Sequence, residues 1–267
     1  MIPNMSESKS VTGHLMRASF GMAMLAATVS LHAQVISVPN SSFESQSGLN
    51  QPFGVNINID SWQKAARPDY FPADGFNGFF WEQTAGVFNA PAYVNQVGDQ
   101  AAFILSFPQA GISQDYNTLA WNEVSPSHAF NSVFAVGQSY NLTVGLYGKS
   151  LIEGYSSLEL DLYYRDNLNA IVPVSSTTVT FSSAVFSATG PFSLIDYQVN
   201  VPTVQLGDAW AGQNIGIRLT AVQGDGNGYW DLDNVRLQAV PEPATLTLLG
   251  LGLGGWLLRS RVQRRRL

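Results

Sequence analysis

Through the middle of this chain, apolar and polar residues alternate with a period of two. "YNLTVGLY" puts Leu142, Val144 and Leu146 on one face, and "LELDLYYR" sets Leu158, Leu160, Leu162 and Tyr164 against Glu159, Asp161 and Arg165. "IDYQVNV" opposes Ile195, Tyr197, Val199 and Val201 to Asp196, Gln198 and Asn200, while "IGIRLTAV" opposes Ile215, Ile217 and Leu219 to Arg218 and Thr220. That period belongs to a strand with one buried face. No stretch outside the two ends carries a helical period. Short strands punctuated by Gly, Asn, Asp and Pro predict an all-β chain, a single antiparallel β-sandwich of jelly-roll type. "QGDGNGYW" joins the last two strands and reads as a hairpin, because Asp-Gly and Asn-Gly accept positive φ. Residues 61–97 are rich in aromatics and glycine but weakly periodic, and read as one or two strands carrying long loops.

One strand breaks its own alternation. In "WDLDNVRL", Trp230 and Leu232 share one parity, Val235 and Leu237 the other. A bulge near Asp233-Asn234 would let a single strand bury both sets. Without a bulge, Asp231 and Asp233 share the face of Val235 and Leu237, and buried acids need a partner such as calcium. On either reading Asp233 is a candidate ligand for a hard cation. Glu44, in "VPNSSFE", is its candidate companion if the first and last strands are neighbours.

The ends follow a different pattern. Lys9 and Arg17 precede an apolar run from Ala18 to Leu31, and "HAQV" then offers Ala33 for cleavage. This reads as a secretory signal peptide over residues 1–33 with a helical apolar core. Met16-Arg17 would be a more ordinary start, so the first 15 residues read as an over-long beginning. At the other end, Pro241-Glu242-Pro243 precedes an uncharged run from Ala244 to Leu258, and Arg259, Arg261, Arg264, Arg265 and Arg266 follow it. Fifteen helical residues span roughly 22 Å, less than the roughly 30 Å of bilayer hydrocarbon. The tail, residues 240–267, therefore reads as a short transmembrane helix and an address rather than a durable anchor. The sandwich occupies 34–239.

Charge sharpens this division. Residues 34–240 hold 17 Asp and Glu against six Lys and Arg, so this part carries −11 while the ends are basic. An acidic domain repels phosphate backbones, which argues against nucleic-acid binding. The chain has no cysteine, which excludes disulfides, thiolate metal sites and cysteine nucleophiles. Between the ends there is one histidine, His128, and no G-x-S-x-G elbow, so nucleophilic catalysis is disfavoured. Sugar rings pack their C–H faces on aromatic side chains. Trp62, Tyr70, Trp81 and Trp121 lie in irregular, polar-flanked stretches and are the candidate glycan-binding residues.

Two resemblances attach to these motifs. The Pro-Glu-Pro, apolar span and arginine cluster resemble the PEP-CTERM sorting signal of Gram-negative bacteria. This implies an exosortase-type membrane protease as partner, a transient stay at the inner membrane, and release or display at the cell surface or in the extracellular matrix. "N-x-x-F-E" from Asn40 to Glu44, with "D-N-V-x-L" from Asp233 to Leu237, resembles the galactose-binding-like jelly rolls and related carbohydrate-binding modules. That resemblance implies a structural Ca2+ held by Glu44 and Asp233. The resulting expectation is a surface-sorted, non-catalytic, glycan-binding protein of the exopolysaccharide matrix. The alternatives are a structural or adhesion protein that binds other proteins, and a glycosidase or lyase.

Overall fold

A computed structural model describes residues 33–45, 54–76, 78–119, 130–186 and 193–241, all within the unit spanning 31–267. The signal-peptide residues and the tail beyond Pro241 lie outside the described residues, as does Trp121. Twelve strands are present among those described. They are β1 (Gln34–Ile36), β2 (Val55–Asn56), β3 (Gln63–Lys64), β4 (Ala85–Asn89), β5 (Gln100–Leu105), β6 (Gly111–Gln114), β7 (Gln138–Lys149), β8 (Ser157–Arg165), β9 (Ile171–Thr180), β10 (Ile195–Val201), β11 (Gly216–Gln223) and β12 (Tyr229–Pro241). One 3-10 turn (Trp81–Gln83) and one short helix, α1 (Ser183–Phe186), accompany them.

All strand pairings are antiparallel. One sheet has the order β10-β7-β12-β5-β4-β2, with β1 also against β12; the other has the order β3-β6-β11-β8-β9. Two antiparallel sheets face each other as a sandwich of jelly-roll type. The alternating leucines supply the core between them. Leu142, Val144 and Leu146 of β7 face Leu158, Leu160 and Leu162 of β8 and Ile217 and Leu219 of β11, all fully buried. The terminal strands are neighbours: Gln34 pairs with Ala239 and Ile36 with Leu237.

The parity break in β12 is resolved by a bulge. Asp233 lies opposite Gly145 but Arg236 lies opposite Thr143, so β12 spends one extra residue there. Asn234 takes a left-handed φ of 56° at that point, a conformation Asn tolerates better than most residues. Trp230 and Leu232 before the bulge, and Leu237 and Ala239 after it, therefore all point into the core. Asp231 and Asp233 are left on the outer face.

The hairpin expectation is corrected. "QGDGNGYW" is not a hairpin, because β11 ends in one sheet and β12 begins in the other. The turn is a corner between sheets. It lies against the β5–β6 corner, which crosses the opposite way: Ser106 N–H donates to the Gly228 carbonyl (2.9 Å) and Gly226 N–H donates to the Ser106 carbonyl (3.3 Å). Asp161 is on the outer face of β8, as its parity predicts, and is buried there beneath Arg218, whose Nη2 lies 2.5 Å from its Oδ2.

Candidate functional site

The outer face of the larger sheet carries the site. On β12 the outward residues before the bulge are Tyr229, Asp231 and Asp233. Register sets Leu105 of β5 and Lys149 of β7 beside Tyr229, and Phe103 and Tyr147 beside Asp231. One strand further out, Gly86 of β4 lies opposite Phe103, and Val55 of β2 lies opposite Phe88. Gly86 leaves room for the Phe103 ring: a Cβ there would come within 2.7 Å of the ring and 2.6 Å of the Asn56 carbonyl. Phe88 meets Phe103 edge-on, ring centroids 6.3 Å apart and planes at 67°. With Phe79, these side chains wall a cavity of about 410 Å³, polar only at Asn227, Tyr229 and Asp231.

Asp231 is 1% exposed, yet it lines this cavity. Its Oδ2 accepts the Tyr93 hydroxyl at 2.5 Å, while its buried Oδ1 has no hydrogen-bond partner. Burial pushes its carboxyl up to about 7, against the lowering effects of the Tyr93 hydrogen bond and the Lys149 charge. Burial, and next the carboxylate beside it, push the Tyr93 phenol far above its ordinary range, so the proton in that bond stays on the phenol. Tyr147, beside Asp231 on β7, packs on Tyr93 with centroids 5.5 Å apart. A carboxyl that holds its proton near neutral pH, set in a largely apolar wall, has the properties of a general acid.

Glu44 and Asp233 are brought together on one loop, residues 96–100. Glu44 Oε1 accepts Gln100 N–H at 2.6 Å, and Asp233 Oδ2 accepts Val97 N–H at 2.7 Å. The loop closes on Glu44 only because residue 98 is glycine: its φ is +85°, and a Cβ there would collide with the Glu44 carboxyl. Asp233 is fully buried, and its Oδ1 has no hydrogen-bond partner. Burial first, and the negative charge of Glu44 last, raise its carboxyl to about 7, against two backbone N–H donors. Two facing carboxylates and an orphaned buried oxygen suit a hard cation. Among the described residues no third His, Cys, Asp or Glu joins them, so the rest of such a shell would be backbone carbonyls and water.

The aromatic candidates separate. Trp62 is 2% exposed, packs on Phe43 at 5.5 Å, and donates its indole N–H to the Asn40 carbonyl at 3.1 Å. Trp81 is 6% exposed, meets Phe71 edge-on at 5.0 Å, and donates to the Ala65 carbonyl at 2.7 Å. Both rings are core with satisfied polar ends, and neither offers a face to a sugar. Tyr70 is 51% exposed and donates its hydroxyl to the Pro108 carbonyl. It borders a second cavity of about 280 Å³ with Phe71, Phe76, Phe107 and Asp225. Of the sorting residues, Pro241 ends β12 opposite Gln138. Glu242, Pro243, Arg259, Arg261, Arg264, Arg265 and Arg266 lie outside the described residues. The sequence reading missed Tyr93, Phe88 and Phe103 and gave Asp231 no catalytic part. The available signal was an acid, Asp231, set directly between Trp230 and Leu232 and followed two residues on by Asp233.

The HpiC1-like family profile, described as HpiC1 cyclase, matches residues 34–238, and the PEP-CTERM protein-sorting motif matches 239–265. Among solved structures, the apo form of a cyclase from Fischerella sp. is 20% identical, with a TM-score of 0.54 over 78% of this chain and 97% of that one. A cyclase from Fischerella sp. TAU in complex with 4-(1H-indol-3-yl)butan-2-one is 19% identical, with a TM-score of 0.53 over 78% and 98%. TmCBM61 in complex with β-1,4-galactotriose gives 14% identity and a TM-score of 0.41 over 76% and 97%. No curated protein matches in sequence. The two cyclases share the fold of this chain, and the profile covers nearly all of its sandwich. This chain belongs to the HpiC1-like cyclase family and carries a PEP-CTERM sorting motif at its C-terminal end.

Proposed function

We propose that this chain is an exported, surface-sorted protein that performs acid-initiated chemistry on an apolar, unsaturated small molecule held in the cavity over β12. The observation that carries this reading is the Asp231 carboxyl, set in an otherwise apolar wall with one oxygen unpartnered and the other held by Tyr93. Protonation of a carbon–carbon double bond forms a C–H bond, breaks the carboxyl O–H and leaves a carbocation. An internal nucleophile then closes a ring, and loss of a proton returns Asp231 to its starting form. Membership of a cyclase family supports this order of events. The indole compound bound in the Fischerella cyclase complex supports an aromatic heterocycle as the first substrate class to try. This reading departs from the non-catalytic expectation drawn from the sequence.

The test is incubation of the purified full chain in D2O with a panel of alkenyl indoles, read by mass spectrometry. One deuterium per cyclised product, with product formation reduced at least about 100-fold in Asp231→Asn, is expected for loss of a general acid. Turnover unchanged in that variant would overturn the assignment of Asp231, and an absence of turnover on every member of the panel would count against the catalytic reading.

A glycan-binding role keeps one specific support, the exposed Tyr70 ring beside Phe76 and Asp225. On that reading Tyr70→Ala abolishes retention on a polysaccharide array and leaves the β12 cavity unaffected. For Glu44 and Asp233 we propose a structural Ca2+, with chelation lowering the melting temperature of the full chain. The tail is read as the substrate of an exosortase-type protease at the inner membrane, with the sandwich on the outer side.

A further inference from the structure

The cavity over β12 is unusual in its pairing of materials. Its walls at Phe79, Phe88, Phe103 and Tyr229 carry aromatic rings, whose faces are negative. Its one acidic group, Asp231, is buried, and the Oδ1 of that group has no hydrogen-bond partner among the protein's own donors. Lys149, the nearest basic side chain across the strand pair, does not reach it. The Lys149 ammonium instead sits 5.8 Å from the centroid of the Tyr229 ring, so one wall of the cavity already attracts a cation. Aromatic rings beside a carboxylate attract positive charge, and methylated ammonium ions are the ligands such cages hold best.

We propose that this cavity binds small organic cations, tertiary or quaternary ammonium groups, against the carboxylate of Asp231 and between the rings of Phe79, Phe88, Phe103 and Tyr229. The proposal rests on the cavity being the working site, as above, but not on any proton transfer. It also deepens that reading. After an acid gives up its proton, the cavity contains a carboxylate and a cation. A stable ammonium ion of the same size occupies the same arrangement without reacting.

The groups that face Asp231 are Tyr93 from the loop after β4, Tyr147 and Lys149 from β7, and Tyr229 from its own strand. All but Lys149 are phenols, so Lys149 is the one basic side chain facing Asp231. Two substitutions therefore move binding in opposite directions. Asp231→Asn removes the counter-charge at nearly constant shape. Lys149→Met removes the competitor and keeps most of the length of the side chain.

The experiment is calorimetric titration of the purified full chain with choline and with its uncharged isostere 3,3-dimethyl-1-butanol, at a pH of about 8.5, where Asp231 is a carboxylate, and one fixed ionic strength. A preference for choline of at least about tenfold is expected, in line with a desolvated cation–π site. The preference should vanish in Asp231→Asn and grow several-fold in Lys149→Met, with both variants keeping the melting behaviour of a folded protein. Equal affinity for the two compounds, binding of neither, or a preference that survives Asp231→Asn would each overturn the proposal. A choline preference without turnover on any alkenyl indole would remove the catalytic reading and leave this one standing. Turnover without the preference would do the reverse.

Discussion

The outer face of β12 is two surfaces separated by one residue. Before the bulge, Asp231 and Asp233 are buried, covered by the Tyr93–Gln100 loop and edged by the phenylalanines of β4 and β5. After it, Arg236 and Gln238 stand among Asn141, Thr143, Asp196, Gln198 and Asn200 in a half-exposed polar ladder. Asn141 Nδ2 donates to Asn200 Oδ1 at 2.6 Å, and Arg236 Nη2 lies 2.6 Å from Asp196 Oδ2. Both halves pair with β7 on one side. On the other side the first half meets β5 and the second meets β1. The strand itself does not decide which half becomes a site. The neighbour does: β5 brings Phe103 and Leu105 and the loop that precedes them, while the three-residue β1 brings no cover.

This comparison can be broken most severely at the bulge. Asn234→Pro, whose ring fixes φ at about −65°, forbids the left-handed bulge residue (φ 56°), and strict alternation at unchanged chain length then turns Leu237 and Ala239 outward and Arg236 and Gln238 inward. The expected outcome is a chain that fails to give a cooperative thermal transition by circular dichroism. A native-like melting curve would mean that the bulge does not set the register.

A smaller but still large effect is expected from pH. Asp231 is raised to about 7 in the fold from an unfolded value of 3.8, so its stabilising effect is full below about pH 4 and is lost as pH rises through 7. With metal removed, the melting temperature should fall between pH 5 and pH 8, by an amount on the order of 2–4 kcal/mol in stability for a shift of this size. Asp231→Asn should roughly halve that slope, the remainder coming mainly from buried Asp233, and raise stability at pH 8. A flat profile in the unsubstituted chain would show that the buried carboxyl is paired.

The least effect is expected beyond the bulge. Arg236 and Asp196 are each a little over one-third exposed, and exposed ion pairs are worth about 0.5 kcal/mol or less. Arg236→Ala should leave the melting temperature within about 2 °C and the cavity's binding unchanged. A large loss there would mean that the two halves act as one surface.

Much of the frame was legible because it is local. "YNLTVGLY" and "IGIRLTAV" alternate cleanly, and the clash of parities in "WDLDNVRL" marked the bulge to within a residue. Glu44 and Asp233 could be paired because their strands lie at opposite ends of a sandwich whose termini meet. The cavity was not legible, since Val55, Phe79, Phe88, Phe103 and Tyr229 come from five separate segments and each alone reads as an ordinary apolar position. Trp62 and Trp81 misled for a related reason. Polar neighbours in an irregular stretch describe the path of the backbone over the surface, not where a large ring turns. The hairpin reading of "QGDGNGYW" failed because Gly and Asn mark a change of direction without saying whether the chain returns to the same sheet.

The sorting motif starts where β12 is still paired, Pro241 lying opposite Gln138. Ten residues of strand separate that point from Asp231, about 33 Å at the rise of an extended chain. Tension arriving through the tail therefore runs along an interior strand, flanked by β7 and by β1 and β5, and loads its hydrogen bonds in shear. In that geometry the bonds share the strain and must give way together, whereas a strand peeled from an edge loses them one at a time. A molecule held by its tail would keep the cavity at the far end of a mechanically stiff arm.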